Sequence, residues 1–359
     1  MSSIDPRLNK MADILINYSL KVKKGERVLI AADILAKPLV LVIYEKLIKR
    51  GVAEARIQFD SYEFAEIYYK NASDKQIKTF PKISFSEMKQ IDCYLAIRAS
   101  GNRKALSKID AFIIAGRERV TRPILDWRAE KTRWVIANFP CEAFAQEAEM
   151  SLTEYEDFVF KGVCDVNWKK LAQNQKKINK LVNKTKNVRI IAPDTDLTFS
   201  IAGRKAINDD GEKNMPGGEV FTSVVENSTT GYIKYSYPAI YMGRELNNVR
   251  LEFKNGRVVK AMADKNEKDL NKIIDMDKGA RFLGEFGIGN NFQITRFTKD
   301  ILYDEKIGGT IHLALGKGYK ETLSKNKSAL HWDMICDLRK GGELWFDKKL
   351  VQKNGKWLI

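Results

Sequence analysis

The sequence predicts an α/β protein in two parts: an N-terminal domain on a parallel sheet, then a β-rich α+β domain that binds metal and carries catalysis. Three observations predict it. A strand, a helix and a second strand follow one another within residues 27–59, the order of a βαβ unit. From Arg189 onward short apolar strands alternate with turn residues, among them Asn255-Gly256, a strong hairpin signal. The chain has 359 residues, enough for about two domains.

The elements follow in order. Leu8, Met11, Leu15 and Tyr18 recur at helical spacing, so the chain opens on an amphipathic helix. Lys24-Gly25 turns it into a strand over 27–32. Pro38 suits the first turn of a helix and Gly51 its end, which sets a helix over 38–50. A strand over 55–59 completes the unit. Parallel strands joined by a crossover are covered on both faces. Further strands are expected at 93–98 and 134–137, whereas 111–115 is a short apolar run that reads equally as strand or helix. The first strand runs into AADILAKP without G-x-G-x-x-G, so no nicotinamide or flavin site is expected there. Trp168, Leu171, Ile178 and Val182 then mark a lysine-rich helix. The change in texture places the domain boundary near 185, giving 1–185 and 186–359.

Composition narrows the function. Hydrophobic residues make up 44% and charged residues 30%, which is a folded composition. No apolar run approaches the ~18 residues of a membrane span. MSSIDPRLNK has no apolar signal core, and the four scattered cysteines read as free buried thiols. Both predict a cytoplasmic protein in a reducing compartment. The net charge of +16 raises nucleic acid as a partner. Its densest lysines occupy the outer face of one helix, with no aromatic platform, zinc finger or RNA-binding signature beside them. A nucleic-acid partner is therefore not expected.

The chemistry gathers near the C-terminus. The chain has two histidines, His312 in GGTIHLALG and His331 in HWDM. His331 and Asp333 leave the same face of a strand, a natural ligand pair for a divalent ion. Glu219 in MPGGEVFT and Glu285 in FLGEFGIGN lie in apolar, glycine-flanked settings where a buried carboxylate needs a cation or a hydrogen-bonding partner. Taken singly, each histidine reads as well as a structural residue, and each glutamate as an exposed turn residue. The glycines at 284–289 lack the Lys-Ser/Thr of a phosphate loop, and neither HExxH nor G-x-S-x-G occurs.

Taken together, AQEAEMSLTEYEDFVF at 145–160, DTDLTFSIAGR at 194–204, NMPGGEVFT at 214–222, LGEFGIGNN at 283–291, ILYDEKIGGTIHLALG at 301–316 and SALHWDMICDLR at 328–339 resemble the thermophilic aminopeptidase family, the aminopeptidase T and S group of metallopeptidases. The resemblance is strong from about residue 130 onward and lies mainly in layout before it. Val224 and Lys320 stand where the family often has proline. The resemblance implies two divalent ions held by Glu219, Glu285, His312, His331 and Asp333, with Glu305 also at the metal site and Tyr319 close to the metals. It implies an aminopeptidase acting through a two-metal-activated water on peptides with a free N-terminus, and a homodimer. Glu219 or Glu285 would span the ions, Glu285 would be the general base ahead of Glu305, and Tyr319 would hydrogen-bond the tetrahedral intermediate. Oxygen and nitrogen donors without thiolate suit zinc, cobalt or manganese. The alternatives are a two-metal hydrolase of another amide and a basic nucleic-acid-binding protein without catalysis.

Overall fold

The computed structural model describes residues 5–359. Two compact units divide the chain: one runs to Asp165 and includes Gly211–Pro216, the other takes Val166–Asp210 and Gly217–Ile359.

The first unit is built on a five-stranded sheet in the order Glu54–Asp60, Arg27–Asp33, Cys93–Arg98, Arg133–Asn138, Asn214–Met215. Every neighbouring pair is parallel. The crossover helix Lys37–Arg50 buries Leu39, Val40, Ile43 and Leu47, and ends at Gly51 in the left-handed conformation. This is the predicted βαβ unit. The opening helix Pro6–Asp13, capped by Asp5, passes into a π-helical turn over Ile14–Ser19 and buries Leu8, Met11 and Leu15. The ambiguous run at 111–115 opens a helix, Ala111–Lys131. The Asp110 carboxylate caps it by accepting from the backbone N–H of Phe112, a start signal that no strand would need. All four cysteines are free and buried. Among the described residues no helix is long and apolar enough to cross a membrane.

The second unit is β-rich. It begins with the lysine-rich helix Trp168–Lys184, which buries Trp168, Gln175, Ile178 and Val182. The division therefore falls at Asp165–Val166, some way before the composition change near 185, because this helix packs against the strands Ile207–Asp209 and Glu219–Thr222 of the second unit. An eight-stranded antiparallel sheet comes next, and its Arg250–Lys254 and Arg257–Met262 strands form the expected hairpin. Asn255 and Gly256 both have positive φ, 50° and 83°, as a two-residue turn between twisted strands requires. The sheet that matters for chemistry has five strands in the order His331–Asp337, Thr310–Gly316, Leu283–Gly289, Glu219–Thr222, Ile207–Asp209. Val220, Phe286, Ile288, Leu313, Trp332 and Met334 from its strands lie in the unit's hydrophobic core.

Candidate metal centre

Strand alternation builds the site. Glu285 and Asp333 both pair with Ala314, His312 pairs with Gly287, and His331 pairs with Gly316. Glu219 pairs with Gly289 on one side and Asp209 on the other. Paired residues, and alternate residues along a strand, share a face of the sheet. The acidic and imidazole side chains therefore project from one face, while Phe286, Ile288, Leu313, Trp332 and Met334 enter the core on the other. The positions interleaved with the acidic and imidazole groups on the inner strands are small, Gly287, Gly289, Ala314 and Gly316, with Phe221 beside Gly287 and Ile335 beside His312 on the same face. At Gly287 the reason is direct. A Cβ there would overlap Nε2 and Cε1 of His312 and come within 2.8 Å of its Cδ2.

The side chains converge. His312 Nε2 lies 3.1 Å from Glu219 Oε2 and 3.4 Å from Glu285 Oε1. His331 Nε2 lies 3.3 Å from Asp333 Oδ2 and 3.9 Å from Glu285 Oε2. Glu285 thus turns one oxygen toward each imidazole. His331 Nδ1 sits 2.7 Å from the Lys317 carbonyl, and an N–H donated there leaves Nε2 free to face the carboxylates. Glu305 follows the short helix Ile301–Asp304 and joins His312 and Asp333 in a set whose ligand atoms lie within 4.8 Å of one another. Glu219, Glu285 and His312 form a second such set. Tyr319 stands beside His331, ring centres 5.3 Å apart.

A cation is already built in. Lys306 is fully buried, 3.4 Å from Glu219 Oε1 and 3.5 Å from Asp209 Oδ2, and also pairs with Glu305. Gln175, buried on the lysine-rich helix, donates through Nε2 to the backbone carbonyls of Asp209 at 3.2 Å and Glu219 at 3.0 Å. Helix and strands are pinned together at the glutamate.

These groups hold one another's charge. Burial pushes Glu219 up, but Lys306 and His312 outweigh it and the carboxyl lies below its usual value. Burial, joined by the Asp333 charge, leaves Glu285 raised. Glu305 is pushed up to about 8 by burial and then by the Glu219 charge. Burial opposes the charge on His331, yet Asp333 and Glu285 lift it to about 10, and Asp333 falls to about 2 against burial through the same pairing. His312 rises well above its usual value because Glu219 and Glu285 overcome its burial. Burial, then the charges of Glu285 and Asp333, keep the half-exposed Tyr319 phenol protonated at neutral pH.

The donor set fits a divalent cation. Glu219 Oε2, Glu285 Oε2, Asp333 Oδ1 and both ring nitrogens of His312 are buried without a hydrogen-bond partner. His312 Nε2 is close to Glu219, but the approach lacks hydrogen-bond alignment. Buried polar atoms are almost always satisfied. Oxygen and imidazole lone pairs converging without partners are what a borderline divalent ion coordinates.

Comparison with known proteins agrees with this geometry. A family profile described as thermophilic metalloprotease (M29) matches residues 4–357. The chain belongs to that family. Membership makes it a metallopeptidase, a hydrolase whose chemistry depends on a divalent metal. The chain is 23% identical to "Aminopeptidase AmpS" of Bacillus subtilis, over 93% of this chain and 90% of that one. It is 24% identical to "Aminopeptidase T" of Thermus thermophilus, over 91% and 88%. The solved structure of wild-type AmpT from Thermus thermophilus superposes with a TM-score of 0.87 at 21% identity, over 99% of each chain. A 2,5-dihydroxypyridine dioxygenase from Pseudomonas putida shares the fold more loosely, at a TM-score of 0.65 and 12% identity over 98% and 97%.

Within the metalloprotease frame, all six side chains singled out from the sequence as ligands come together: Glu219, Glu285, Glu305, His312, His331 and Asp333. Tyr319 lies at their edge. Sequence reasoning missed Lys306, Asp209 and Gln175. Asp304-Glu305-Lys306, three charges in a row between the apolar ILY and IGG, was the one signal for Lys306. Gln175 carried none, since a glutamine in a polar helix looks solvated.

Proposed function

We propose that this protein is an aminopeptidase that removes the N-terminal residue from peptides bearing a free α-amine, using two divalent ions of zinc, cobalt or manganese. The observation that carries the reading is Glu285, whose two oxygens face different imidazoles, His312 and His331. One carboxylate placed between two nitrogen donors supports two ion positions, one grouped with Glu219 and His312, the other with His331 and Asp333. Glu305 completes the oxygen set, and Lys306 offsets the excess of carboxylate charge. When bound, the ions lower the pKa of the attacking water toward ~7 and polarise the scissile carbonyl. Glu285, with both oxygens turned to the ion positions, would have none free to take a proton, so the role of taking it from that water and passing it to the leaving amine would fall to Glu305, the other carboxylate of the cluster. Tyr319, protonated at neutral pH, donates to the oxygen that gains charge. The four free, buried thiols support a cytoplasmic setting, and a homodimer is the assembly this reading carries with it.

The shared fold of a dioxygenase cautions that a frame does not fix a reaction. Matched peptides with free and acetylated N-termini separate the possibilities. Release of the first residue from the free peptide alone is expected. Equal cleavage of both would replace an aminopeptidase with a hydrolase of other amides.

A further inference from the structure

Lys306 brings a positive charge into the candidate metal centre ahead of any ion. Its side chain is fully buried, and those of Glu305, Glu219 and Asp209 around it are 16%, 6% and 6% exposed. Its backbone is fixed on both sides: the N–H donates to the Tyr303 carbonyl and the carbonyl accepts from the Asn291 N–H, each at 3.0 Å. Gly289 makes room for that stretch, since a Cβ there would overlap the Ile307 carbonyl oxygen and come within 3.1 Å of the Lys306 carbonyl carbon. An ammonium has three donors and no acceptor. This one faces three carboxylates, through Oε1 of Glu219, Oδ2 of Asp209 and Oε1 of Glu305.

From this arrangement we infer that Lys306 is a positioning residue with two effects: it holds Glu305 through one oxygen so that the carboxylate stays available to the water's proton, and it limits how tightly the centre binds its ions. The inference rests on the aminopeptidase reading, in which Glu305 is the base. The first effect follows from how the oxygens are shared. Glu219 turns Oε1 to the ammonium and Oε2 to His312, so it has one oxygen left for an ion and does not span two. Glu305, tied through Oε1, cannot close both oxygens on an ion, yet it stays in the set it forms with His312 and Asp333. An uncharged side chain at 306 would release it to coordinate fully, and a fully coordinated carboxylate takes up no proton. The second effect is charge. Glu219, Glu285, Glu305, Asp333 and Asp209 bring five negative charges when ionised, and Lys306 one positive. Two divalent ions then make the cluster neutral. Without the ammonium the carboxylates are in excess, and in a buried site that excess draws cations strongly. An ammonium that merely anchored the strands would act in the opposite direction, because its loss would loosen the ligands.

Two variants separate these effects. Lys306→Met removes the charge and the donors; Lys306→Gln removes the charge and keeps a donor for Glu305. Both are purified with cobalt, checked by far-UV spectrum, stripped, and titrated calorimetrically with cobalt against a competing chelator. Their kcat and KM for an unblocked leucyl amide are then measured at saturating metal. The expected result is cobalt binding at least ~10-fold tighter than wild type in both variants. In Lys306→Met, kcat falls by ~100-fold, the cost of a misplaced catalytic group; in Lys306→Gln it falls less, and KM is unchanged in both. Cobalt binding that weakens, with kcat falling in step with bound metal, makes Lys306 a structural anchor and overturns the inference. So does a failure of both variants to fold with cobalt present, and so does a wild-type kcat in Lys306→Met. A wild type that binds cobalt yet hydrolyses no unblocked amide overturns the aminopeptidase reading, and the role given to Glu305 with it. Tighter cobalt binding in the variants would in that case still uphold the effect of the charge.

Discussion

Gly287→Ala tests whether the sheet face is shaped for a metal. The glycine is not needed for backbone freedom, since its φ is not positive, so alanine fits the strand. What it cannot do is share space with His312: the new methyl would overlap Nε2 and Cε1 and sit 2.8 Å from Cδ2. Ordinary carbon contact is ~3.5–4.0 Å, so the imidazole must retreat by roughly 1.5 Å. Metal–ligand distances tolerate only about ±0.2 Å, so the shift is several times the tolerance. Overpacking itself costs about 1–3 kcal/mol, which a unit of this size survives. The expected outcome is a folded protein with a modestly lowered melting temperature and at least ~10–100-fold weaker metal binding, the scale of a disturbed ligand. Calorimetric titration of metal-stripped protein with cobalt, beside a thermal melt, reads both. Wild-type affinity in a folded Gly287→Ala protein would refute the argument that His312 is a ligand held over this glycine.

Other outcomes rest on the same geometry. Glu285→Ala removes the carboxylate shared by the two ion positions and should weaken both metal binding and turnover by at least ~10–100-fold, with an unchanged far-UV spectrum; wild-type affinity and activity would remove Glu285 from the site. Metal affinity should rise with pH, because protons on Glu305 near 8 and His331 near 10 compete with the ion, and buffer-dependent heats should show proton release on binding at pH 7. In the chelated protein His331 has a folded pKa of about 10 against an ordinary 6.5. Its contribution to stability is therefore complete below 6.5 and lost as pH climbs through 10, so the melting-temperature gap between metal-loaded and chelated protein should widen over that range. A gap that narrows would contradict the proton–metal competition. Gln175→Ala leaves the Asp209 and Glu219 carbonyls short of a donor and should cost about 1–3 kcal/mol in urea unfolding; no loss would show that the amide pins nothing.

Much of this architecture is legible in local sequence. The βαβ unit was legible because Pro38 and Gly51 punctuate its helix, and local chemistry set those bounds. The hairpin at Asn255-Gly256 was legible for the same reason. The run at 111–115 was not, because five apolar residues fit either period; the Asp110 cap that decides it lies outside the run. Two helices show the same contrast. Ser151 and Glu154 spell a capping box for Leu152–Cys164, whereas Tyr62–Asn71 buries no residue and has no side-chain cap at its start. At the candidate metal centre, the histidines, Glu219, Glu285 and Asp333 stood out through rarity or glycine-rich settings. Lys306 and Gln175 did not. Their roles arise from long-range pairing that brings Asp209 beside Glu219, and no local pattern encodes that. The boundary near 185 tracked composition, while the fold obeys packing, and the helix Trp168–Lys184 belongs with the sheets after it.

The most direct test of the central claim is a metal titration with activity read at each step. Metal-stripped protein receives zinc, cobalt or manganese while hydrolysis of an unblocked leucyl amide and bound metal are measured together, in wild type and in His331→Ala. The expected result is no activity without metal, activity that rises to a plateau at two equivalents per chain, and loss of both binding and activity in the variant. A wild type that binds no metal, or that hydrolyses the amide equally well with a chelator present, would contradict the claim.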